Sequence, residues 1–437
     1  MVVPPTNRTE ENAHDPHIGN QRGLRADELR GCSVMGLRGE AAIVGYTERP
    51  ATNRPTGPLE STLEQWARLA AATLADAGLS GTEVDGICTG HIQEAQIFAP
   101  STVAEYLGLK VNFAEMVDLG GASAAAMVWR AAAAIELGLC QAVLCVLPGT
   151  PLTPVSAKKP PEVCDSLHFG GSSNRYGSPQ AEFEIPYGTL GQNGPYGRVA
   201  TLYGATYGYD EWAMAKIVAD QRVNANHHPG AIFHDVPITV ADVIDSPMIA
   251  TPLHKLEIVM PVMGGAAVLV TNAELARRSR NRPVWVKGFG ERVPYKMPMY
   301  AENLLQTPMI KAAQSAFSMA GLTPSDMDMV SIYDCYTITA LLSLEDAGFC
   351  EKGAGLKFVT AHDLTFRGDF PMNTAGGQLG YGQAGFAGGM HHICDATRQI
   401  MGRAQATQVR ECNRAFVSGN GGVLAEQTTL VLEGDER

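Results

Sequence analysis

The chain has 437 residues, a formal net charge of -12, and 45% hydrophobic residues. This length is enough for two or three domains around a large buried core. The acidic balance argues against a nucleic-acid-binding surface, which needs an excess of Lys and Arg, but a few local basic groups can still hold a small anionic ligand.

The nine cysteines contain no Cys-x-x-Cys pair, so we expect neither a structural zinc site nor a disulfide framework. The most apolar stretches, residues 122–137 and 142–147, are too short or too broken to cross a bilayer. The N-terminus lacks the layout of a signal peptide. These features predict a cytoplasmic protein without membrane contact and without a bound metal.

The first half of the chain predicts a flexible tail followed by alternating strands and helices. Residues 1–40 are rich in Pro, Asn, Arg and Glu without an apolar period, which is typical of a tail. Residues 122–137 are mostly Ala, which predicts a helix packed on several sides. The other elements predicted here are strands at Ala41–Gly45, Val84–Thr89, Ala142–Leu147 and Ala266–Thr271 and a helix at Leu63–Leu79.

Residues 150–255 differ in composition, with many Pro, Gly, Tyr and His residues and one clear helix near Glu211–Asn226. Long insertions of this kind usually serve ligand binding or assembly. A run of tyrosines in it could line an apolar tunnel, although such clusters more often form the core of a loop domain. The run comprises Tyr196, Tyr203, Tyr207 and Tyr209.

The second half of the chain repeats the alternation of strands and helices. Strands are predicted at Val284–Gly288, Met329–Tyr333, Ala415–Ser418 and Thr428–Leu432, and helices at Thr307–Ala320, Ile338–Ala347 and Met390–Met401. This alternation predicts an α/β protein with mostly parallel sheets, and the two similar halves indicate a duplicated unit.

Seven segments, in matching order and spacing, resemble the thiolase superfamily in its sterol-carrier or lipid-transfer branch. They are Ala41–Gly45, Val84–Gly86, Gly120–Ser123, Tyr333–Thr337, Leu344–Phe349, Asn373–Gly377 and Gly419–Gly422. The resemblance implies a five-layered αβαβα thiolase fold built from two duplicated βαβαβαββ halves, residues 41–283 and 284–437. It also implies a loop domain at about residues 150–255 and a homodimeric core.

Members of this superfamily use four reactive positions, and all four are changed here. The nucleophilic Cys, at the start of a buried helix whose dipole lowers the thiol pKa, is matched by Gly121. The Asn or His of the oxyanion hole is matched by Tyr333, and the His of a Gly-His-Pro turn by Gln383. The last turn, which carries an acid/base Cys in thiolases, reads Ser418–Gly422 without a Cys. No acyl-enzyme can therefore form at Gly121.

The replacements resemble the steroid side-chain-cleaving aldolases of the superfamily, which implies paired active-site tyrosines at Tyr333 and Tyr381. A phenol can donate a hydrogen bond to an oxyanion or act as a general acid or base. We predict that these two form the acid/base pair, with the order of their roles open. Gln383 and nearby backbone N–H groups are the candidates for stabilising a thioester enolate.

The Gly-rich turns are expected to approach the thioester and pantetheine closely. The predicted contacts with substrate or coenzyme A are Gly121, Ser123, Asp334, Gly382, Ser418, Gly419 and Asn420.

Each candidate also has a structural interpretation. Tyr333 could be a core tyrosine, Tyr381 a packing anchor and Ser123 a helix-start residue. Cys335 is more typical of a small buried hydrophobe than of a nucleophile.

His391 and His392 are adjacent on a predicted helix and should point in different directions, which disfavours a metal site between them.

The leading prediction is a carbon–carbon lyase that cleaves a bulky β-hydroxyacyl-CoA, such as a sterol or bile-acid side-chain thioester, into a ketone and a shorter acyl-CoA. The resemblance implies a separate small partner with an OB fold and a zinc ribbon, giving a heterotetramer, and no cofactor beyond the CoA of the substrate. The alternatives are a Cys-independent acyltransferase and a non-catalytic acyl-CoA-binding scaffold.

Overall fold

A computed structural model describes residues 36–53, 60–95, 97–149, 165–166, 172–173, 182–187, 189, 191–296 and 298–435 of the chain. The predicted flexible tail lies outside these ranges up to residue 35. Most of residues 150–181, where the predicted insertion begins, also lies outside them.

The first half of the described chain contains nine strands and seven helices. The strands are β1 (Ala41–Glu48), β2 (Gly86–Thr89), β3 (Phe113–Met116), β4 (Ala142–Pro148), β5 (Asp165–Ser166), β6 (Ser172–Ser173), β7 (Met248–Ala250), β8 (Leu253–His254) and β9 (Gly265–Asn272). The helices are α1 (Thr62–Ala77), α2 (Ala99–Leu107), α3 (Ser123–Glu136), α4 (Asn193–Tyr207), α5 (Glu211–Asn226), α6 (Val240–Ile244) and α7 (Ala273–Arg278).

The second half of the described chain contains four strands and five helices. The strands are β10 (Val284–Arg292), β11 (Met329–Ser331), β12 (Arg414–Gly421) and β13 (Glu426–Gly434). The helices are α8 (Met309–Ala320), α9 (Thr337–Asp346), α10 (Gly355–Ala361), α11 (Gly377–Tyr381) and α12 (Ala387–Ile400).

Local sequence explains where the helices begin and end. Helix α1 is capped by Ser61, whose side chain accepts from the Glu64 backbone N–H while the Glu64 carboxylate accepts from the Ser61 backbone N–H. It ends at Gly78, which adopts the left-handed conformation that suits glycine. Helix α3 is almost entirely buried, because its small side chains let sheet strands approach on several sides.

Nine of the described strands form one large mixed sheet in the order β11-β12-β13-β10-β1-β9-β4-β2-β3, and the pairs β5-β6 and β7-β8 form two small sheets. Strands β1 and β10 join its two halves through the pairs Ala42–Trp285 and Ile43–Val284. Helices α3 and α12 both pack against strands of each half, so they form a middle layer. Helices α1 and α2 cover the outer face of one half, and α8 covers that of the other. The predicted five-layered α/β architecture is confirmed.

Two sequence-based predictions about the elements were wrong. The sheet is mixed rather than mostly parallel, because β9, β10 and β13 pair antiparallel with their neighbours. Residues 150–255 contain a second long helix, α4, which begins just before Gly194 and Pro195. Glycine lowers helix propensity, and α4 contains three of them, so local sequence hides this helix and packing must stabilise it.

No helix in the described ranges is both long and apolar enough to span a bilayer.

Candidate functional site

The site centres on the start of α3, where a glycine leaves room for a tyrosine from the other half of the chain. A Cβ atom placed on Gly121 would overlap the hydroxyl of Tyr333 and lie 2.5 Å from the backbone oxygen of Asn420. Strand β11 ends at Ser331, shorter than predicted, and the chain then carries Tyr333 toward α3. The phenol therefore occupies the space that a side chain at position 121 would need.

Tyr333 is almost fully buried and is hydrogen-bonded at both its hydroxyl and its backbone N–H. The Gln383 amide donates to its hydroxyl at 3.0 Å. The backbone N–H of Tyr333 donates to the Ser418 hydroxyl at 3.0 Å. Burial raises the pKa of the phenol, and the hydrogen bond from Gln383 opposes that rise without overcoming it. Tyr333 is thus a protonated hydrogen-bond donor at neutral pH.

Strand β12 supplies a second wall of the site through Asn420. The Asn420 side chain donates to the Tyr196 hydroxyl at 3.0 Å and accepts from Gln427 at 2.6 Å. The Tyr196 hydroxyl in turn donates to the Gly422 backbone oxygen at 2.8 Å. Gly419, on the same strand, lies so close that a Cβ there would be 2.9 Å from the Cα of Ala122. The structure therefore brings Gly121, Gly419 and Asn420 together, and their predicted contact with substrate or coenzyme A stays a prediction.

Ser123 and Gly382 both stabilise the local backbone: Ser123 through its hydroxyl and Gly382 through its positive φ. The Ser123 hydroxyl donates to the Gly120 oxygen at 2.7 Å and accepts from the Leu119 N–H at 2.8 Å, as expected of a helix-start residue. Gly382 has a φ of 105°, which favours glycine, and a Cβ there would approach Val262 at 2.9 Å.

Asp334 is fully buried and its carboxylate is already occupied. It accepts from the backbone N–H groups of Gln378 at 2.7 Å and Leu379 at 3.2 Å, and lies 3.3 Å from His392 Nε2. These contacts fix the turn that follows the Gly376–Gly377 pair. A direct contact between Asp334 and coenzyme A, predicted from the sequence, stays a prediction.

Tyr381 lies in a different environment from Tyr333. Its hydroxyl donates to the backbone oxygen of Arg49 at 3.2 Å, and its ring packs on His391 with centroids 4.4 Å apart. The described contacts of the two hydroxyls share no residue. Tyr381 lines a cavity of about 470 Å³ together with Glu48, His228, Arg398 and other residues.

Buried charge surrounds Tyr381. Burial by itself would raise the pKa of Glu48, but the ion pair with Arg398 and the hydrogen bond from His391 hold that pKa well below its usual range. Burial and the nearby Arg398 lower the pKa of His228 to about 4. Burial and the Glu48 charge raise the pKa of Tyr381 well above its ordinary value. At neutral pH this cluster holds a carboxylate, a guanidinium, a neutral His228 and a protonated phenol.

The adjacent histidines of α12 point in different directions, as predicted. His391 Nδ1 lies 2.8 Å from Glu48, and its Nε2 has no hydrogen-bond partner among the described residues. His392 packs near the Tyr333 ring and lies 2.9 Å from Ser331. One histidine thus accompanies each of the two tyrosines.

Cys335 is buried, and burial raises the pKa of its thiol to about 12. This environment agrees with the interpretation of Cys335 as a small buried side chain, because a nucleophile requires the thiolate.

Sequence reasoning missed Tyr196, Gln378 and His392 as neighbours of the site. The sequence placed Tyr196 in a run that lines a tunnel or forms a loop-domain core; it is fully buried and stacked on Tyr336 with centroids 4.0 Å apart. The position of Gln378 directly after the Gly-rich turn was the available signal for that residue.

Comparison with known proteins places this geometry in a family. Residues 290–434 match the family model described as thiolase C-terminal domain-like. The chain is 30% identical over 372 residues to the 17-hydroxy-3-oxo-4-pregnene-20-carboxyl-CoA lyase of Mycobacterium tuberculosis, covering 84% of this chain and 92% of that protein. The chain belongs to the thiolase superfamily.

Two further similarities point to the same branch of the superfamily. The chain is 29% identical to the steroid side-chain-cleaving aldolase of Thermomonospora curvata, over 89% of this chain and 96% of that protein. The solved structure of an Ltp2-ChsH2(DUF35) aldolase superposes with a TM-score of 0.79 at 27% identity, covering 92% of this chain and 99% of that one. The sequence-based recognition of a thiolase-like protein close to these aldolases is confirmed.

Proposed function

We propose that this chain is a carbon–carbon lyase that cleaves a bulky β-hydroxyacyl-CoA, such as a steroid or bile-acid side-chain thioester, by a retro-aldol reaction. One observation carries the proposal: the Tyr333 phenol fills the position of a side chain at residue 121. Because this site has a buried phenol donor where thiolases carry a nucleophilic Cys, it suits a reaction that forms no acyl-enzyme. The carboxyl-CoA named for one related enzyme and the steroid side chain named for the other support this choice of substrate.

The reaction needs a base for the β-hydroxyl and donors for the thioester oxygen. The hydroxyl proton leaves to the base, the Cα–Cβ bond breaks, and Cβ becomes the carbonyl carbon of a ketone. The electron pair remains on the thioester as an enolate, which then takes a proton at Cα. Donors placed where the negative charge develops stabilise the enolate most in the transition state.

Tyr333 is the proposed donor to the thioester oxygen. Its phenol is protonated, is buried, and faces the start of α3, where the positive end of the helix dipole also favours an oxyanion. Gln383 holds the phenol in place.

Tyr381 is the proposed member of the pair that faces the β-hydroxyl. Its phenol lies beside His391, whose Nε2 has no partner among the described residues and whose Nδ1 contacts Glu48. An imidazole oriented by a carboxylate can accept a proton that passes through a phenol. In this arrangement Tyr333 acts as the acid and Tyr381 relays the proton to the base.

Product identity tests the proposal. The purified chain, with any partner that copurifies, is incubated with a 3-hydroxyacyl-CoA that carries a tertiary hydroxyl, and the products are identified by mass spectrometry. A ketone plus a shortened acyl-CoA is the expected result. Acyl exchange without C–C cleavage would replace the lyase by the acyltransferase alternative, and binding without turnover would favour the scaffold alternative.

A homodimer that associates with a small OB-fold and zinc-ribbon partner is the proposed assembly. Strand β3 is the last strand of the described sheet on one side, and Met116 at its end is exposed. A free sheet edge with an exposed apolar side chain is suited to pairing with a second copy. The related Ltp2-ChsH2(DUF35) aldolase carries a DUF35 component in its name, which supports a separate partner chain. Light scattering of the copurified complex measures how many copies of this chain and of the partner it contains.

A further inference from the structure

The cavity of about 470 Å³ that Tyr381 lines has a polar wall. Its ionisable lining residues are Tyr46, Glu48, Asp76, His228, Tyr381 and Arg398, and the others are Thr, Pro, Ala and Gly residues. Ligand pockets are usually walled by aliphatic and aromatic side chains with only a few polar groups. Among the described residues, no Leu, Ile, Val, Met, Phe or Trp lines this cavity. Its wall therefore suits a reacting group that carries oxygen.

His228, which follows α5 and lines the cavity, carries an N–H group in a fixed tautomer. The Gly230 backbone N–H donates to His228 Nδ1 at 3.2 Å. A backbone N–H can only donate, so Nδ1 carries no proton and the neutral ring holds its proton on Nε2. Burial lowers the pKa of His228 to about 4, which keeps the ring neutral. The Nε2–H group has no hydrogen-bond partner among the described residues.

Tyr381 supplies the complementary acceptor. Its hydroxyl donates to the Arg49 backbone oxygen at 3.2 Å, and no described residue donates to the phenol oxygen in return. A Cβ atom on Gly230, which also lines the cavity, would lie 3.1 Å from the Tyr381 hydroxyl oxygen and 3.2 Å from His228 Cε1. Because Cε1 is bonded to Nε2, the acceptor on Tyr381 and the donor on His228 lie at the same part of the cavity wall.

A substrate hydroxyl fits between these two groups, because its hydrogen can point to the Tyr381 oxygen while its own oxygen accepts from His228. We propose that this cavity holds the ketone half of the substrate, and that His228 donates its Nε2–H to the oxygen that changes from β-hydroxyl to ketone carbonyl. The His228 proton is not transferred, and the hydroxyl proton leaves through Tyr381. A fixed donor stabilises the negative charge that develops on this oxygen as its proton leaves. The inference rests on the proposed lyase function and adds His228 as a catalytic residue.

The test uses a steroid with a ketone on its five-membered ring, labelled with ¹³C at the ketone carbon, since this resonance moves downfield when the carbonyl accepts a hydrogen bond. The full chain, with its partner where one copurifies, is titrated with this probe and followed by NMR. In His228→Phe the bound resonance should lie upfield of its wild-type position, and the affinity should fall about tenfold, as expected for loss of one hydrogen bond. His228→Gln keeps an N–H donor, so it should retain most of the shift and of the affinity.

Ala72 provides a test of the cavity itself. It is exposed on α1 and lines the cavity, and it takes part in neither of the two proposed hydrogen bonds. Ala72→Phe should fill part of the cavity and weaken ketone binding by more than about tenfold. Ala71→Phe is the matched control, because Ala71 is exposed on the same helix and does not line the cavity. This control should bind the ketone as wild type does.

The outcomes distinguish the two proposals. A wild type that binds no ketone, or a bound resonance and affinity that are the same in His228→Phe, would overturn the inference even if the wild type cleaves hydroxyacyl-CoA. Ketone binding that follows the expected order without any C–C cleavage would overturn the lyase function and leave the cavity as a ketone site. If His228→Phe does not fold, the comparison of Ala72→Phe with Ala71→Phe decides the question, and equal affinities in these two would overturn the inference.

Discussion

The two tyrosines of the site lie in contrasting surroundings, although His391 and His392, which accompany them, are adjacent on one helix. The Tyr333 hydroxyl accepts a hydrogen bond from the neutral Gln383 amide and lies at the N-terminus of α3. Around Tyr381 the groups are ionic: Glu48 pairs with Arg398 and contacts His391, whose ring packs on Tyr381. Neutral donors leave a phenol free to stabilise charge on a ligand, whereas an ionic cluster can take up or release a proton. The difference assigns separate tasks to two residues of the same type.

The largest expected effect comes from removing the phenol oxygen at position 333. Tyr333→Phe should lower kcat about 10³-fold, with KM nearly unchanged, because the lost donor acts mainly on the transition state. Steady-state ketone formation measures this effect. Tyr336→Phe is the control, since the Tyr336 hydroxyl donates to Asn193 instead. A loss no larger than that of the control would remove Tyr333 from the chemistry.

Lowering the pH should reduce the free energy of unfolding through groups near Tyr381, first His228 and then Glu48. The pKa of His228 is about 4 in the fold, below its ordinary value, so the unfolded chain binds more protons as the pH falls toward that value. Stability is therefore complete above about pH 6.5 and declines by up to about 3 kcal/mol on the way down to the folded pKa. Glu48 adds a further loss once the pH falls below the ordinary glutamate range.

Urea unfolding across this pH window measures the effect. His228→Gln should make the free energy of unfolding nearly independent of pH above about pH 4. His91→Gln, in the loop after β2, should decline with falling pH as wild type does. An equally steep decline in His228→Gln would show that another group is responsible.

Tyr381→Phe sharpens the contrast between the two tyrosines. It should lower kcat about 10²-fold, a typical value for a lost acid/base group, while retaining ring packing on His391. Acetoacetyl-CoA is a thioester without a β-hydroxyl whose enolate absorbs in the near ultraviolet, and its bound enolate should stay near the wild-type level, because Tyr333 is untouched. A loss of enolate equal to that in Tyr333→Phe would mean that the two phenols share one task.

The smallest expected effect is on stability at position 121. Gly121→Ala should destabilise the fold by about 2 kcal/mol, since its methyl group overlaps the Tyr333 hydroxyl. In a Tyr333→Ala background the part of this cost that comes from the phenol should disappear, whereas the 2.5 Å approach to the Asn420 backbone oxygen remains. A double-mutant cycle measures the coupling between residues 121 and 333. Gly191→Ala, where a Cβ meets nothing within 4 Å, is the control. If the destabilisations by Gly121→Ala and Tyr333→Ala simply add in the double variant, residues 121 and 333 are not in direct contact.

Much of the fold could be predicted because apolar runs and glycine stops mark its strands and helices locally. Helix α5 matches its predicted range, and α1 and α3 match within two residues at each end. Strand direction was not predictable in this way, because a buried strand looks alike in parallel and antiparallel sheets. Helix α4 was missed because its glycines and proline oppose the helix that tertiary packing stabilises.

The candidate site was predictable only in part. Matching Gly121 and Tyr333 to known reactive positions identified both residues, and their contact follows from the fold. Pairing Tyr333 with Tyr381 followed from resemblance, whereas the structure gives Tyr333 a direct hydrogen bond from Gln383. The contact between Gln378 and His392 depends on how α11 packs beside α12, and spacing along the chain does not reveal it.

The contact between residues 121 and 333 joins the two halves of the fold and constrains how they can be exchanged. Consider recombination after residue 283 with a relative that carries cysteine at position 121 and a smaller residue at position 333. One hybrid would force a thiol against a phenol, and the reciprocal hybrid would leave the space between them unfilled. Neither would inherit the chemistry of a parent, so the two positions should change together in evolution rather than one at a time.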